Sequence, residues 1–318
     1  MDTSIEETRA ERRIVFVGGL HRSGTTLIAN LLARHPAIGS LELQGTGNSE
    51  GQYLQDVLPK EDAFGGPGLL AFNDGFSDPA GLAAADETAV RLHRAWETHW
   101  PANTPVVLEK TPGNLLRASL LHGLFPRARF LFVIRHPIAV ALATQKWSHT
   151  GVFCLLQHWL AGYGHLDRLE RAGIDHMLIS YEDLLVRGEY LLATVADWLG
   201  LDPAPLPVPS LYDGNAPYFR RWQQCRIAGE RLDAATMKRV DQRALGGRLR
   251  HIFLKSLKPL ARQAFVHGVQ ISLAGREIAA AEGFFGEAVA RYDYSLVDPS
   301  ARPISYVFTP ETGRVAVE

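Results

Sequence analysis

One stretch near the amino end narrows the folds open to this chain. "VFVGGLHRSGTTLIANLL", Val15 to Leu32, passes from a continuous apolar run through two glycines into Ser-Gly-Thr-Thr, and then into an apolar-periodic helix that His35-Pro36 ends. A strand that turns into a helix start points backbone N–H groups at one spot, and the helix dipole adds to their pull on an anion. Gly18, Gly19 and Gly24 let the backbone come close, and Ser23, Thr25 and Thr26 add donors. The lysine that nucleotide triphosphatases place just before the Ser/Thr is missing. Arg22 is the cation instead, permanently charged and able to grip phosphate or sulfate with two hydrogen bonds.

Further short apolar runs follow at Ala37–Leu41, Pro105–Leu108, Arg129–Arg135 ("RFLFVIR") and His176–Ser180 ("HMLIS"). Helical periodicity separates them over 83–100, 114–124, 138–147, 152–166 and 184–199. The alternation predicts an α/β fold, a parallel sheet of P-loop type flanked by helices, with right-handed crossovers. Residues 202–222 are Pro-rich and connective, and a mainly helical C-terminal region follows. The predicted organisation is a disordered tail over 1–12 and one domain over 13–299. Within that domain, 13–222 is the nucleotide-binding core and 223–299 a helical part. Residues 300–318 read as a second tail. The segment 44–81 is rich in Gly, Asn, Asp and Pro, as functional or mobile loops are.

A net charge of −1 over 318 residues offers no electrostatic case for nucleic-acid binding. The two cysteines, Cys154 and Cys225, lack metal-ligand spacing and imply a reducing compartment. The polar start MDTSIEETRAERR has no apolar core of a secretory signal, and no run of about 18 apolar residues predicts a membrane span. The expected location is cytoplasmic. Strands end in Glu109-Lys110, Arg135 and Ser180-Tyr181, not in the Asp that holds Mg²⁺ in ATP and GTP enzymes. The site therefore neutralises its anion with side chains, and no metal is expected.

Five segments, in order, resemble those of sulfotransferases that use 3′-phosphoadenosine-5′-phosphosulfate (PAPS), in the bacterial and tyrosylprotein-type branch. Gly19 to Leu27 is similar to their 5′-phosphosulfate loop. "LEKTPGNLLR" (108–117), "VIRHPIAVALATQKW" (133–147), "ISYEDLL" (179–185) and "NAPYFRRW" (215–222) resemble the later segments, and "DYSL" (293–296) is similar to the ending of some bacterial members. The resemblance implies PAPS as donor, 3′-phosphoadenosine-5′-phosphate (PAP) as product, and sulfuryl transfer to a hydroxyl of a small acceptor. It implies that Arg22, Ser23, Gly24, Thr25, Thr26 and Leu27 hold the phosphosulfate, and that Lys110 binds the transferring group. Arg135 takes the 3′-phosphate. The family's serine eight residues later is Ala143 here, so Thr144, or Ser148, is the substitute hydroxyl. Tyr181 lines the nucleotide pocket, while Asn215, Tyr218, Arg220 and Arg221 close over it.

The acceptor's proton needs a base. In related branches this is a Glu about 20 residues after the loop's basic residue, which implies Glu42. Glu50 is the rival, and His21 and His149 are further alternatives. "GGRLRHIFLKSLKPLARQAF", 246–265, carries Arg248, Arg250, Lys255, Lys258 and Arg262 and no acid. It reads as a solvated helix face or as a weak contact with a membrane or lipid-like acceptor. Oligomeric state stays open. Two other functions compete with sulfuryl transfer, an ATP-dependent phosphotransferase and a non-catalytic nucleotide-binding protein.

Overall fold

The structure is a computed structural model. It describes residues 12–41, 50–80, 82, 84–148, 150–203, 208–240 and 259–317, without the side chains of 229–240 and 259–274. The strands are β1 (Arg13–Gly19), β2 (Ile38–Ser40), β3 (Val106–Lys110), β4 (Arg129–Ile134), β5 (His176–Ser180), β6 (Tyr306–Thr309) and β7 (Gly313–Ala316). The helices are α1 (Thr25–Leu32), α2 (Ala85–Glu97), α3 (Asn114–Leu124), α4 (Pro137–Ser148), α5 (Val152–Arg171), α6 (Tyr181–Trp198), α7 (Ala216–Val240) and α8 (Pro259–Ala290).

β1 to β5 pair in parallel, and the sheet order is β2-β3-β1-β4-β5-β6-β7. Two-residue periodicity splits the core. Ile14, Phe16, Phe130 and Phe132 face one layer, with α3, α4 and α5, whereas Val15, Val17, Leu131 and Val133 face the other, with α1 and α6. Both faces are buried, which is why the strands read as continuous apolar runs. The chain leaves β1 toward β2 and β3 on one side and later fills β4 and β5 on the other. The order therefore reverses at β1, and the carboxyl ends of β1 and β4, in register at Gly19 and Val133, frame a crevice of the kind that binds ligands in open α/β sheets.

Two expectations need correction. Residues 300–318 are not simply a tail, because β6 pairs antiparallel with β5, and β7 with β6. The hairpin covers a sheet edge that would otherwise be open, and Ser305 fastens it. Its Oγ donates to Asp183 Oδ2 (2.8 Å) and accepts from Ser180 N (3.1 Å). The stretch 202–222 is also not connective throughout, since α7 starts at Ala216. The tail over 1–11 lies outside the described residues. So do Arg248, Arg250, Lys255 and Lys258 of the basic segment, as does the side chain of Arg262. Among the described residues no helix is long and apolar enough to cross a membrane.

Candidate active site

The loop after β1 is shaped by backbone that few residues tolerate. Gly19 has φ +151° and Gly24 φ +110°. A Cβ on Gly19 would lie 2.6 Å from Val133 O, and one on Gly24 2.9 Å from Tyr181 Cδ2. Arg22 takes φ +69° although it is not glycine, and such conformations cost about 1–3 kcal/mol and cluster at functional sites. α1 starts at Gly24 with no side-chain cap and no acid in its first turn, so its leading N–H groups stay available. Ser23 is fully buried, and its Oγ has no hydrogen bond among the described residues, although the Tyr163 phenol is near enough to feel it. An orphaned buried hydroxyl beside free helix-start amides is what an oxyanion ligand would satisfy.

Arg135 ends β4 and meets this loop. Its Nη1 donates to Arg22 O (2.8 Å), and its Nε donates to Asn215 Oδ1 (2.7 Å). The guanidinium lies 4.3 Å from the centre of the Tyr181 ring. Behind it stands Glu182, a buried carboxylate that the sequence reading left without a role. It accepts from Asn215 Nδ2 (2.6 Å), His136 N (3.0 Å) and Tyr294 Oη (2.7 Å), so "YEDLL" and "DYSL" meet on one side chain. Burial first, and then the Glu182 charge, raise the Tyr294 phenol well above its ordinary value, which keeps it a donor. The chain Glu182–Asn215–Arg135 fixes the arginine without neutralising it directly.

Arg135, Tyr181, Ala143, Lys146 and Tyr218 line a cavity of about 480 Å³ together with the loop residues Arg22, Gly24, Thr25, Thr26 and Leu27. Lys146 Nζ donates to Tyr218 Oη (3.3 Å). Thr144 is buried with its methyl toward Gly68, so Ala143 and not Thr144 borders this cavity. The one-residue offset on a helix turns the hydroxyl about 100° away. Arg220 and Arg221 are exposed on α7 and do not line it.

A second cavity, of about 580 Å³, opens on the other side of the loop and shares Arg22, Thr25 and Thr26 with the first. A hydrogen-bonded row runs along and behind its wall, with Glu50, Glu61 and His21 facing the cavity. Lys110, buried at the end of β3, pairs with Glu50 (3.0 Å). Gln52 Nε2 donates to both Glu50 Oε2 (2.7 Å) and Glu61 Oε2 (3.0 Å), and His21 Nε2 lies 2.9 Å from Glu61. Burial alone would raise the Glu61 carboxyl, but the His21 hydrogen bond and charge, Gln52 and the Gly113 N–H together hold it below the ordinary glutamate value.

Lys110 does not pair with its neighbour Glu109. Alternation along β3 sends Glu109 to the other face, where Thr111 Oγ1, Asn114 Nδ2 and Gly51 N donate to it. Full burial raises that carboxyl despite these donors. Of the expected proton acceptors, Glu50 and His21 line the second cavity, while Glu42 and His149 lie outside the described residues.

A model of the sulfotransferase family matches residues 15–205. Nodulation protein NoeE from Sinorhizobium fredii (strain NBRC 101917 / NGR234) is 26% identical over 231 residues, which cover 60% of this chain and 51% of that protein. The chain thus spans about half the length of that relative. Two solved structures are similar at 17% identity. Sulfotransferase STF9 from Mycobacterium avium matches with a TM-score of 0.43, over 69% of this chain and 70% of that one. A sulfotransferase from Alicyclobacillus acidocaldarius matches with a TM-score of 0.40, over 63% and 86%.

Proposed function

This chain belongs to the sulfotransferase family, and from that premise we propose that it moves a sulfuryl group from PAPS to a hydroxyl of a small-molecule acceptor. The observation that carries the reading is the pair of cavities that meet at Arg22, Thr25 and Thr26. One is lined by cations and helix-start amides, the other by a carboxylate row. The residues fit the donor. The orphaned Ser23 hydroxyl and the glycine cradle suit a tetrahedral oxyanion, and Arg135 with Lys146 and Tyr218 suits a second phosphate at the far end of the first cavity.

Bound PAPS supplies an activated –SO₃ group that passes to the acceptor oxygen, releasing PAP and one proton. Arg22, the Ser23 hydroxyl and the amides of Gly24 to Thr26 neutralise charge at the loop, in a site where fixed donors act strongly. Arg135 anchors the nucleotide end, held by Asn215 and backed by Tyr181. Glu50 takes the acceptor's proton, and Lys110 and Gln52 hold its carboxylate toward the cavity.

Melting with PAP, and with ATP–Mg²⁺ as control, tests the donor assignment. PAP at a hundred times its dissociation constant stabilises by about 2.7 kcal/mol, a rise of a few degrees. At the same PAP concentration the stabilisation should fall below about 1 kcal/mol in Arg135→Ala, which removes about 2–5 kcal/mol of binding. A shift with ATP–Mg²⁺ alone would overturn the reading in favour of a phosphotransferase.

A further inference from the structure

Trp147 ends α4 with 60% of its surface exposed, unusual for a side chain that proteins mostly bury. One face of its ring is taken, since the Arg22 guanidinium lies 4.2 Å from the ring centre. Exposed large apolar residues are otherwise scattered over the molecule, but Tyr53 and Leu69, each 41% exposed, border the same second cavity as Trp147, beside Pro67. Apolar surface gathered at one cavity mouth marks a binding surface more often than chance exposure does. The floor of that cavity differs in kind. Its polar groups include the carboxylates of Glu50 and Glu61, which accept hydrogen bonds and cannot donate them when ionised. The cations nearest to them are committed, Lys110 to Glu50 and His21 to Glu61, and Arg22, shared by both cavities, lies against Trp147.

We propose that Trp147 is the platform on which the acceptor stacks, and that the acceptor is an uncharged hydroxyl compound with a flat apolar face. This inference rests on the sulfotransferase reading above. Trp147 lines the cavity that also holds Arg22, the cation shared by both cavities, and Glu50, so a ring seated on the indole's free face keeps its hydroxyl within the span of that cavity. The ring's other hydroxyls or N–H groups meet the carboxylate floor as donors. A carboxylate, phosphate or sulfate that reaches the Glu50 and Glu61 floor meets like charge there and is rejected, as like charges are in discriminating sites. A cavity of about 580 Å³ holds a molecule of one to three rings. The flat face could belong to a phenol or to a sugar ring, and the test separates them.

Initial rates with PAPS are compared for two matched pairs, 4-ethylphenol with 4-hydroxyphenylacetate, and 4-nitrophenyl β-D-glucoside with the corresponding glucuronide. The uncharged member of at least one pair should be sulfated with kcat/KM at least about tenfold above its carboxylate partner. Which pair responds tells phenol from sugar. In Trp147→Ala the KM for that acceptor should rise about tenfold with kcat within about twofold, and Trp147→Phe should restore most of it. The PAP-induced melting shift should stay in both variants. The proposal is overturned if carboxylates are used as well as their uncharged partners. It is equally overturned if Trp147→Ala leaves KM unchanged, or if no member of either pair is sulfated while PAP still binds. A wild-type protein that PAP does not stabilise would sink the sulfotransferase reading itself.

Discussion

The two cavities on either side of Arg22 are built differently. The donor side hangs on the ends of regular elements: β1 and β4 stop there, α1 and α7 begin there, and Glu182 at the start of α6 locks Asn215 and Arg135 from behind. The second cavity is walled largely by side chains from residues 50–69, with His21 and Trp147, where short 3₁₀ turns stand in place of strands and one glutamine joins two carboxylates. Backbone geometry dominates the first and side-chain charge the second. Binding of the nucleotide should therefore depend on fold integrity, and turnover and acid stability on the second wall.

The largest test of that division is Glu50→Gln. On the proposal that Glu50 takes the acceptor's proton, this change should lower kcat about 10²–10⁴-fold while the PAP-induced melting shift stays as in the wild type. Loss of PAP binding in this variant would mean the two sides are not separable. Gly24→Ala should do the reverse. Its backbone has φ +110° and the new Cβ would crowd Tyr181, so melting temperature and PAP affinity should fall together, by about 1–3 kcal/mol of stability. An unchanged melting curve would show that the loop has slack.

Smaller effects separate the two buried glutamates. Glu61 sits below its ordinary value in the folded chain, so its ionised form favours folding. That contribution is present above the unfolded value and fades as pH drops through the folded one. Glu61→Gln should lower stability by about 1.5–3 kcal/mol near neutral pH and flatten the acid limb of a urea-unfolding series. Glu109 is raised, so its ionised form opposes folding and its stabilising share shrinks as pH climbs past the ordinary value. Glu109→Gln should leave the acid limb unflattened, since the ionised form of this carboxyl opposes folding, and an acid limb flattened equally in both variants would erase the distinction.

The same contrast explains what could be read from the chain beforehand. Val15 to Leu32 states strand, loop and helix in one line, because a glycine at an unusual φ and a helix start each require particular residues. The ends of α3 and β5 fall where apolar periodicity places them. Arg135 is legible as a strand-end cation, but its partner Asn215 lies 80 residues away, a distance over which no local pattern signals contact. Thr144 failed for a simpler reason, that a helix turns neighbouring side chains in different directions. Glu61 carries no sequence signal, because an acid in a Gly-rich loop looks like any solvated charge until folding buries it against His21. The β6–β7 hairpin was readable in principle. "YVFT" is rich in β-branched and aromatic residues and Thr312-Gly313 marks a turn, but four-residue strands after a long helix carry little weight alone.

That hairpin also sets an order of events. Ser180 N and Ser305 Oγ are hydrogen-bonded across 125 residues of chain, and α6, which carries Tyr181 and Glu182, begins at that junction. At about 5–20 residues per second of synthesis, roughly 6–25 s separate the emergence of β5 from that of the segment that shields its outer edge. For that interval the outer edge of β5, next to the start of α6, has no partner strand from this chain, so closure of that flank waits on translation.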